Sequence, residues 1–141
     1  MRLFLDTSVL LAASGSTKGA SREVFRLATA NSWVLVVTPY VLEEVVRNLP
    51  RLPLSASMDW PRLRQDLQVR DDVLTLNHAA VFPVAKDRPV LFSALAWADV
   101  LLTLDRADFA ALLGSHFYGL PIRRPGAFLE AERAGGRLKA A

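Results

Sequence analysis

The sequence predicts an α/β fold built on a parallel sheet, and three observations carry that prediction. Short apolar runs of the kind that fill a sheet covered on both faces recur along the chain, as RLFL (Arg2 to Leu5), WVLVVT (Trp33 to Thr38) and VLLTL (Val100 to Leu104). Segments with apolar residues at helical spacing separate them, which is the pattern of strands joined by crossover helices. The 141 residues, 52% hydrophobic and 22% charged, suit a single folded domain over residues 1–141. A domain of that size has one core and buries roughly two-thirds of the surface its unfolded chain exposes.

Each element follows from local cues. RLFL reads as the first strand, and Asp6 ends it. A helix is expected over Ser8 to Ala13, a turn-rich break at SGSTKG (Ser14 to Gly19), and a second helix over Ser21 to Ala30, with Val24, Leu27 and Ala28 at helical spacing. The strand Trp33 to Thr38 runs into Pro39. A Thr cap followed by Pro at the first helical position starts a helix whose Val41, Leu42, Val45, Val46 and Leu49 form one apolar stripe. That helix carries Glu43 and Glu44. Leu49 to Pro61 reads as a Pro- and Ser-bearing connection, and Pro61 to about Gln68 as a helix. Within Val69 to Val84, a strand is expected at Val73 to Leu76 and a short irregular helix or loop at Asn77 to Val84. Pro89 starts a further helix with Asp99 near its end, and the strand Val100 to Leu104 leads directly into Asp105. A last short strand is expected around Pro121 to Arg123, followed by a helix that Gly135 and Gly136 punctuate.

Composition narrows the functional classes. The chain has no Cys, so no disulfide can form. Its longest membrane-like stretch, Leu3 to Ala13, is interrupted by Asp6 and falls far short of the roughly 20 apolar residues a spanning helix needs. A cytoplasmic protein with no membrane partner is therefore expected. The net charge of +3 rests mainly on Arg and permits contact with polyanions without requiring it.

The charge that most needs explaining is Asp6, set in the run LFLDTSVLL. A carboxylate buried there without a partner would cost several kcal/mol. In parallel sheets, ligands bind beyond the carboxyl ends of the strands. Asp6 and Asp105 both follow strands, Glu44 lies in the second turn of the helix leaving the second strand, and Asp87 precedes the Pro89 helix. Each has an ordinary reading alone: Asp6 and Asp87 as helix caps, Glu43 and Glu44 as a solvated face, Asp105 as turn chemistry. Gathered on one rim, three or four like charges stay ionised only with a cation among them. Oxygen donors without Cys or a nearby His favour Mg²⁺ or Mn²⁺ over Zn²⁺. Thr7, Ser8 and Thr103 add hydroxyls that could orient a ligand oxygen.

Taken together, FLDTSVLL, TPYVLEEVV, KDRPVLFSALAWADVLLTLDRADF and the tail RPGAFLE resemble a PIN domain over nearly the whole chain. That family includes the VapC-type toxin subunits of toxin–antitoxin pairs. The resemblance implies a three-layer, Rossmann-like fold with a central, mostly parallel sheet of about four to five strands flanked by helices. It implies a metal-dependent ribonuclease in which Asp6, Glu44, Asp87 and Asp105 hold Mg²⁺ or Mn²⁺ and are the catalytic residues, Glu44 matching the family pattern better than Glu43 because Val45 follows it. Asp108 is implied as an outer neighbour. The expected substrate is RNA, the expected partner a cognate antitoxin, and homodimerisation follows from the family, with Leu10, Val24 and Phe25 as candidates for an apolar interface. Arg88 and Arg106, with Arg123 and Arg124, are candidate phosphate contacts because they lie close in sequence to rim elements. His78 and His116 fall in no motif.

The chain departs from the family pattern in two places. Leu104 stands where many relatives carry Gly between the Thr and the last Asp, and ALAWADVL lacks the Gly that often separates this helix from its strand. Two rival readings predict different behaviour. A catalytically silent PIN-like module would bind RNA or protein without cleaving. A phosphohydrolase of the haloacid dehalogenase type would want a second Asp two residues after Asp6, where this chain has Ser8.

Overall fold

The computed structural model describes residues 1–75, 82, 85–107 and 109–141. Its strands are β1 (Arg2–Leu5), β2 (Val34–Val37), β3 (Leu67–Val69), β4 (Val100–Leu102), β5 (His116–Phe117) and β6 (Leu120–Arg123). The α-helices among the described residues are α1 (Thr7–Gly15), α2 (Ala20–Ala28), α3 (Pro39–Asn48), α4 (Leu54–Gln65), α5 (Arg88–Trp97) and α6 (Pro125–Ala134).

The six strands lie in the order β3-β2-β1-β4-β6-β5, parallel throughout except that β5 runs antiparallel to β6. β1 is central. Leu3 pairs with Leu35 on one side and with Val100 on the other, and Leu3, Phe4 and Leu5 are all fully buried. Burying each such side chain contributes about 1.5–3 kcal/mol, which explains why β1 reads as a continuous apolar run and not an alternating one. The chain builds the sheet outward from β1 through β2 to β3, then returns to lay β4 on the other side of β1. Strand order therefore reverses between β1 and β4, the place where open parallel sheets bind ligands. Helix α5 packs against β1 and β4, while α1 packs against α2, α3 and α4, and α2 against α6.

Several elements differ from the sequence reading. The connection expected over Leu49 to Pro61 instead contains a 3₁₀ turn, Leu49–Arg51, and most of α4. Ala56, Trp60 and Leu63 are buried at helical spacing, and Pro61 sits inside the helix on its exposed side. The interior Pro removes one backbone donor, yet burial of the Trp60 face outweighs that loss. The expected helix toward Gln68 gives way to the edge strand β3, whose partner is β2. Val73 to Thr75 are irregular where a strand is expected, because the Val73 N–H is taken by the Ser93 hydroxyl at 2.9 Å and not by a neighbouring strand. Leu76 and most of the reading for Asn77 to Val84 lie outside the described residues.

The sheet has six strands where four to five are expected. At the far edge, β6 is the last strand expected around Pro121 to Arg123, and β5 is the addition, joined to it as a hairpin. Tyr118 and Gly119 link the two with φ of 47° and 84°, the left-handed pair that a two-residue hairpin turn requires. Leu10, Val24 and Phe25, the candidates for a dimer surface, are buried in the core. Their apolar character is accounted for by packing within the chain.

Candidate acidic site at the sheet switch point

Asp6 leaves β1 at the switch point and occupies the N-cap position of α1. Its backbone N–H donates to the Leu102 carbonyl at 3.0 Å, extending the β1–β4 ladder by one residue. The side chain makes no capping bond to α1, so the ordinary cap reading does not hold. It turns instead toward β4. The Thr103 hydroxyl donates to Asp6 Oδ2 at 2.8 Å and the Ser8 hydroxyl to the same oxygen at 3.1 Å. Asp6 is only 7% exposed, and burial pushes its carboxyl above the ordinary value. The Thr103, Ser8 and Thr7 donors pull it part of the way back, while the charge of Asp105 adds to the rise.

Thr103 ties two carboxylate-bearing segments together. Besides bonding Asp6, its hydroxyl accepts the Asp105 backbone N–H at 3.0 Å. Ser8 supports the same junction by accepting the Leu104 N–H at 3.0 Å. Asp105 Oδ1 accepts the Ala107 N–H at 3.0 Å, so the turn chemistry read from the sequence is present and leaves the carboxylate beside Asp6.

Glu44 reaches the same region from α3. The Thr7 hydroxyl donates to Glu44 Oε1 at 3.1 Å, which places Thr7 between the second acidic residue and the first. Burial raises the Glu44 carboxyl, Thr7 lowers it, and the charge of Asp6 raises it again. Glu43, the other half of the pair, is exposed. Asp87 holds the N-cap position of α5 without a side-chain capping bond, and only Pro at the start of the helix follows the expected capping pattern.

Tyr40 and Asp72 belong to this region although the sequence did not single them out. The Tyr40 hydroxyl donates to the Lys86 carbonyl at 2.6 Å, and burial together with the charges of Glu44 and Asp87 pushes its phenol up. Tyr40 thus spans from the Glu44 helix to the Asp87 turn. Thr38 was expected to cap α3, yet its buried hydroxyl has no hydrogen-bond partner among the described residues. Asp72 does that work from 32 residues further on, its Oδ2 accepting the Tyr40 N–H at 3.1 Å. Asp72→Ala is expected to destabilise the protein by roughly 0.5–2 kcal/mol, the usual value of an N-terminal helix cap, measured by urea denaturation. No change in the midpoint would remove Asp72 from that role.

Of the basic candidates, Arg88 donates its Nε to the Phe82 carbonyl at 2.6 Å and Arg123 donates to the Ser115 and Ile122 carbonyls. Arg106 and Arg124 are exposed. His116 is an exposed residue of β5. Asp108 and His78 lie outside the described residues.

The donor set is entirely oxygen, which suits a hard divalent cation. Among the described residues, no three His, Cys, Asp or Glu side chains gather closely enough to hold an ion by themselves. The carboxylates stand instead as neighbours joined through hydroxyls, Glu44 to Asp6 through Thr7 and Asp6 to the Asp105 segment through Thr103. Mg²⁺ commonly takes one or two carboxylates and completes its shell with water and phosphate oxygens, and the arrangement fits that mode.

No protein-family model matches the chain, and neither does any curated protein. The fold has a counterpart of known structure. One chain of the VapBC2 complex from Rickettsia felis, solved bound to a DNA fragment from their promoter, matches 88% of this chain and 98% of its own length, with a TM-score of 0.62 at 13% identity. The chain therefore has a PIN-like fold, shared with that chain of the VapBC2 complex. In the PIN fold of this chain, Asp6 and Asp105 stand at the switch between β1 and β4, and Glu44 approaches them from α3.

Proposed function

We propose that the chain is a metal-dependent ribonuclease that hydrolyses RNA phosphodiester bonds, acting as the toxin of a toxin–antitoxin pair in the cytoplasm. The observation that carries this reading is the hydroxyl-linked set of Asp6, Glu44 and Asp105 at the sheet switch point, in which burial raises the Asp6 and Glu44 carboxyls, the charge of Asp105 adds to the rise at Asp6, and the charge of Asp6 adds to the rise at Glu44. Such a set is unfavourable to maintain in the absence of a cation and favourable in its presence. The fold it shares with a chain of a VapBC2 complex supports the toxin assignment and, with it, a cognate antitoxin and a homodimer as partners.

In this reading Asp6, Glu44, Asp87 and Asp105 would hold Mg²⁺ or Mn²⁺ together with water and phosphate oxygens that complete its shell. Bound there, the ion lowers the pKa of water and neutralises charge at a phosphodiester. The chain's own residues set the geometry. Thr103 and Ser8 fix the rotation of the Asp6 carboxylate through two hydroxyl donors on one oxygen. Thr7 fixes Glu44 in the same way, and Tyr40 locks α3 to the turn that presents Asp87. No protein nucleophile is required.

A second reading, a silent PIN-like module that binds RNA or protein, draws on the absence of a three-carboxylate cluster among the described residues. One assay separates the two. Purified protein incubated with total cellular RNA is expected to cut in Mg²⁺ or Mn²⁺ and to stop in EDTA. Absence of cleavage in either metal across the whole RNA pool would favour the silent module.

A further inference from the structure

A cavity of about 530 Å³ opens beside the acidic site, lined by Lys18, Ala20, Ser21, Leu104, Arg124 and Ala127 among others. It shares a wall with that site. Leu104 lies between Thr103 and Asp105 in the chain, and its N–H is held by Ser8.

Two helix N-termini meet in this cavity. Helices α2 and α6 pack together there so closely that a Cβ added at Gly126 would lie 3.7 Å from that of Ala20. Neither helix has a side-chain cap, and both are long enough to carry a dipole, nine residues in α2 and ten in α6. The first-turn residues Ala20 and Ser21 of one and Gly126 and Ala127 of the other all line the space, and the N–H groups of a first helical turn have no partner within their own helix. Ser21 is only 6% exposed, and its hydroxyl has no hydrogen-bond partner among the described residues, although it borders the cavity. Lys18 and Arg124 bring two cations that form no ion pair among the described residues, against one lining carboxylate, Glu130. The Ser16 hydroxyl is occupied by the Lys18 carbonyl. Two helix N-termini, the unpartnered hydroxyl of the largely buried Ser21 and two cations together form a site for a tetrahedral oxyanion.

We infer that this cavity binds a phosphate group of an RNA chain, one that flanks the cleaved bond and is not itself attacked. The identity of the anion as RNA rests on the ribonuclease reading above. The site would fix the path of the strand across the rim and so the position of the scissile bond.

The test measures binding of a short oligoribonucleotide in EDTA, with and without a 5′-phosphate, to the wild-type protein, to Lys18→Ala/Arg124→Ala and to Ala127→Asp. The Asp variant places a carboxylate in the first turn of α6, where it stabilises the helix while repelling phosphate, so it folds. Both variants are expected to bind RNA at least about tenfold more weakly, and the double variant to lower the salt slope by about 0.7, the loss of one single-strand phosphate contact. Equal weakening for both RNA forms assigns an internal phosphodiester, and weakening confined to the 5′-phosphorylated form assigns the terminal phosphate. Unchanged affinity in both variants overturns the inference. Should the wild-type protein bind no RNA, the ribonuclease reading falls separately, and amide chemical shifts under inorganic phosphate decide the site. Shifts at Ala20, Ser21, Gly126 and Ala127 that vanish in the double variant keep it as an anion site, and their absence overturns it.

Discussion

Asp6→Asn is expected to abolish cleavage and at the same time to stabilise the metal-free protein. The loss of activity follows from removing a negative charge at the switch point between β1 and β4. A drop of at least about a hundredfold corresponds to roughly 3 kcal/mol of transition-state stabilisation, a modest share of what metal-ion catalysis supplies. The gain in stability follows from burial. Asp6 is held almost out of solvent, and its carboxyl is raised mainly for that reason. A carboxyl with a raised folded-state pKa favours the folded chain when protonated and opposes it when ionised. In EDTA the wild-type stability attributable to Asp6 is therefore fully present below the ordinary value of 3.8 and is lost as pH rises through the higher folded value. Asn carries no charge to desolvate, and its amide oxygen can replace Oδ2 as acceptor for Thr103 and Ser8. Each kcal/mol recovered should raise the thermal midpoint at neutral pH by about 3–5 °C. Divalent metal should raise the wild-type midpoint and leave the variant's nearly unmoved, by mass action on the folded state alone. A variant that cuts normally, or that melts lower than wild type in EDTA, would contradict this account of Asp6.

A residue that lowers stability while serving a site is also one that stands out in a sequence, and this explains which parts of the molecule were legible. β1, β2 and β4 are continuous apolar runs because both faces of the central sheet are covered, so each announces itself. Asp6 and Asp105 stood out against those runs. The edge of the sheet had no such signal. β3 is three residues long with Gln68 and Val69 exposed, and β5 has two residues, so neither carries enough apolar pattern to declare a strand. α4 was masked by its own Pro and Ser residues, although Ala56, Trp60 and Leu63 held the helical spacing that its packing on α1 uses. The supporting residues of the site were hidden for a different reason. Tyr40 acts through a carbonyl 46 residues away and Asp72 through an N–H 32 residues away, and contacts at such separations leave no local pattern. The cavity beside the site is similar, since it exists only because α2 and α6 bring their first turns together.

Thr103→Val should reveal whether the hydroxyl bridges position the carboxylates or merely fill space. Valine nearly matches threonine in shape, and Thr103 is fully buried, so the change removes a hydroxyl without opening a cavity. Three contacts disappear with it: the donor to Asp6 Oδ2 at 2.8 Å, the acceptor for the Asp105 N–H at 3.0 Å and a long hydroxyl contact with Ser8 at 3.5 Å. Leaving those partners unsatisfied should cost about 1–3 kcal/mol of stability, read from denaturant midpoints. Cleavage should fall by about tenfold or more beyond any loss of folded protein, because the Asp6 carboxylate keeps only Ser8 as a hydroxyl donor and the Asp105 turn loses its anchor. Thr103→Ser retains the hydroxyl and should recover most of the activity, a result that packing alone does not explain. The double variant with Asp6→Asn sharpens the inference. If Thr103 acts through Asp6, its substitution should cost cleavage little once Asp6 is already Asn, whereas independent roles would make the two losses multiply. Multiplying losses would assign Thr103 to the Asp105 turn and detach it from Asp6. Cleavage equal to wild type in Thr103→Val would remove the bridge from the mechanism altogether.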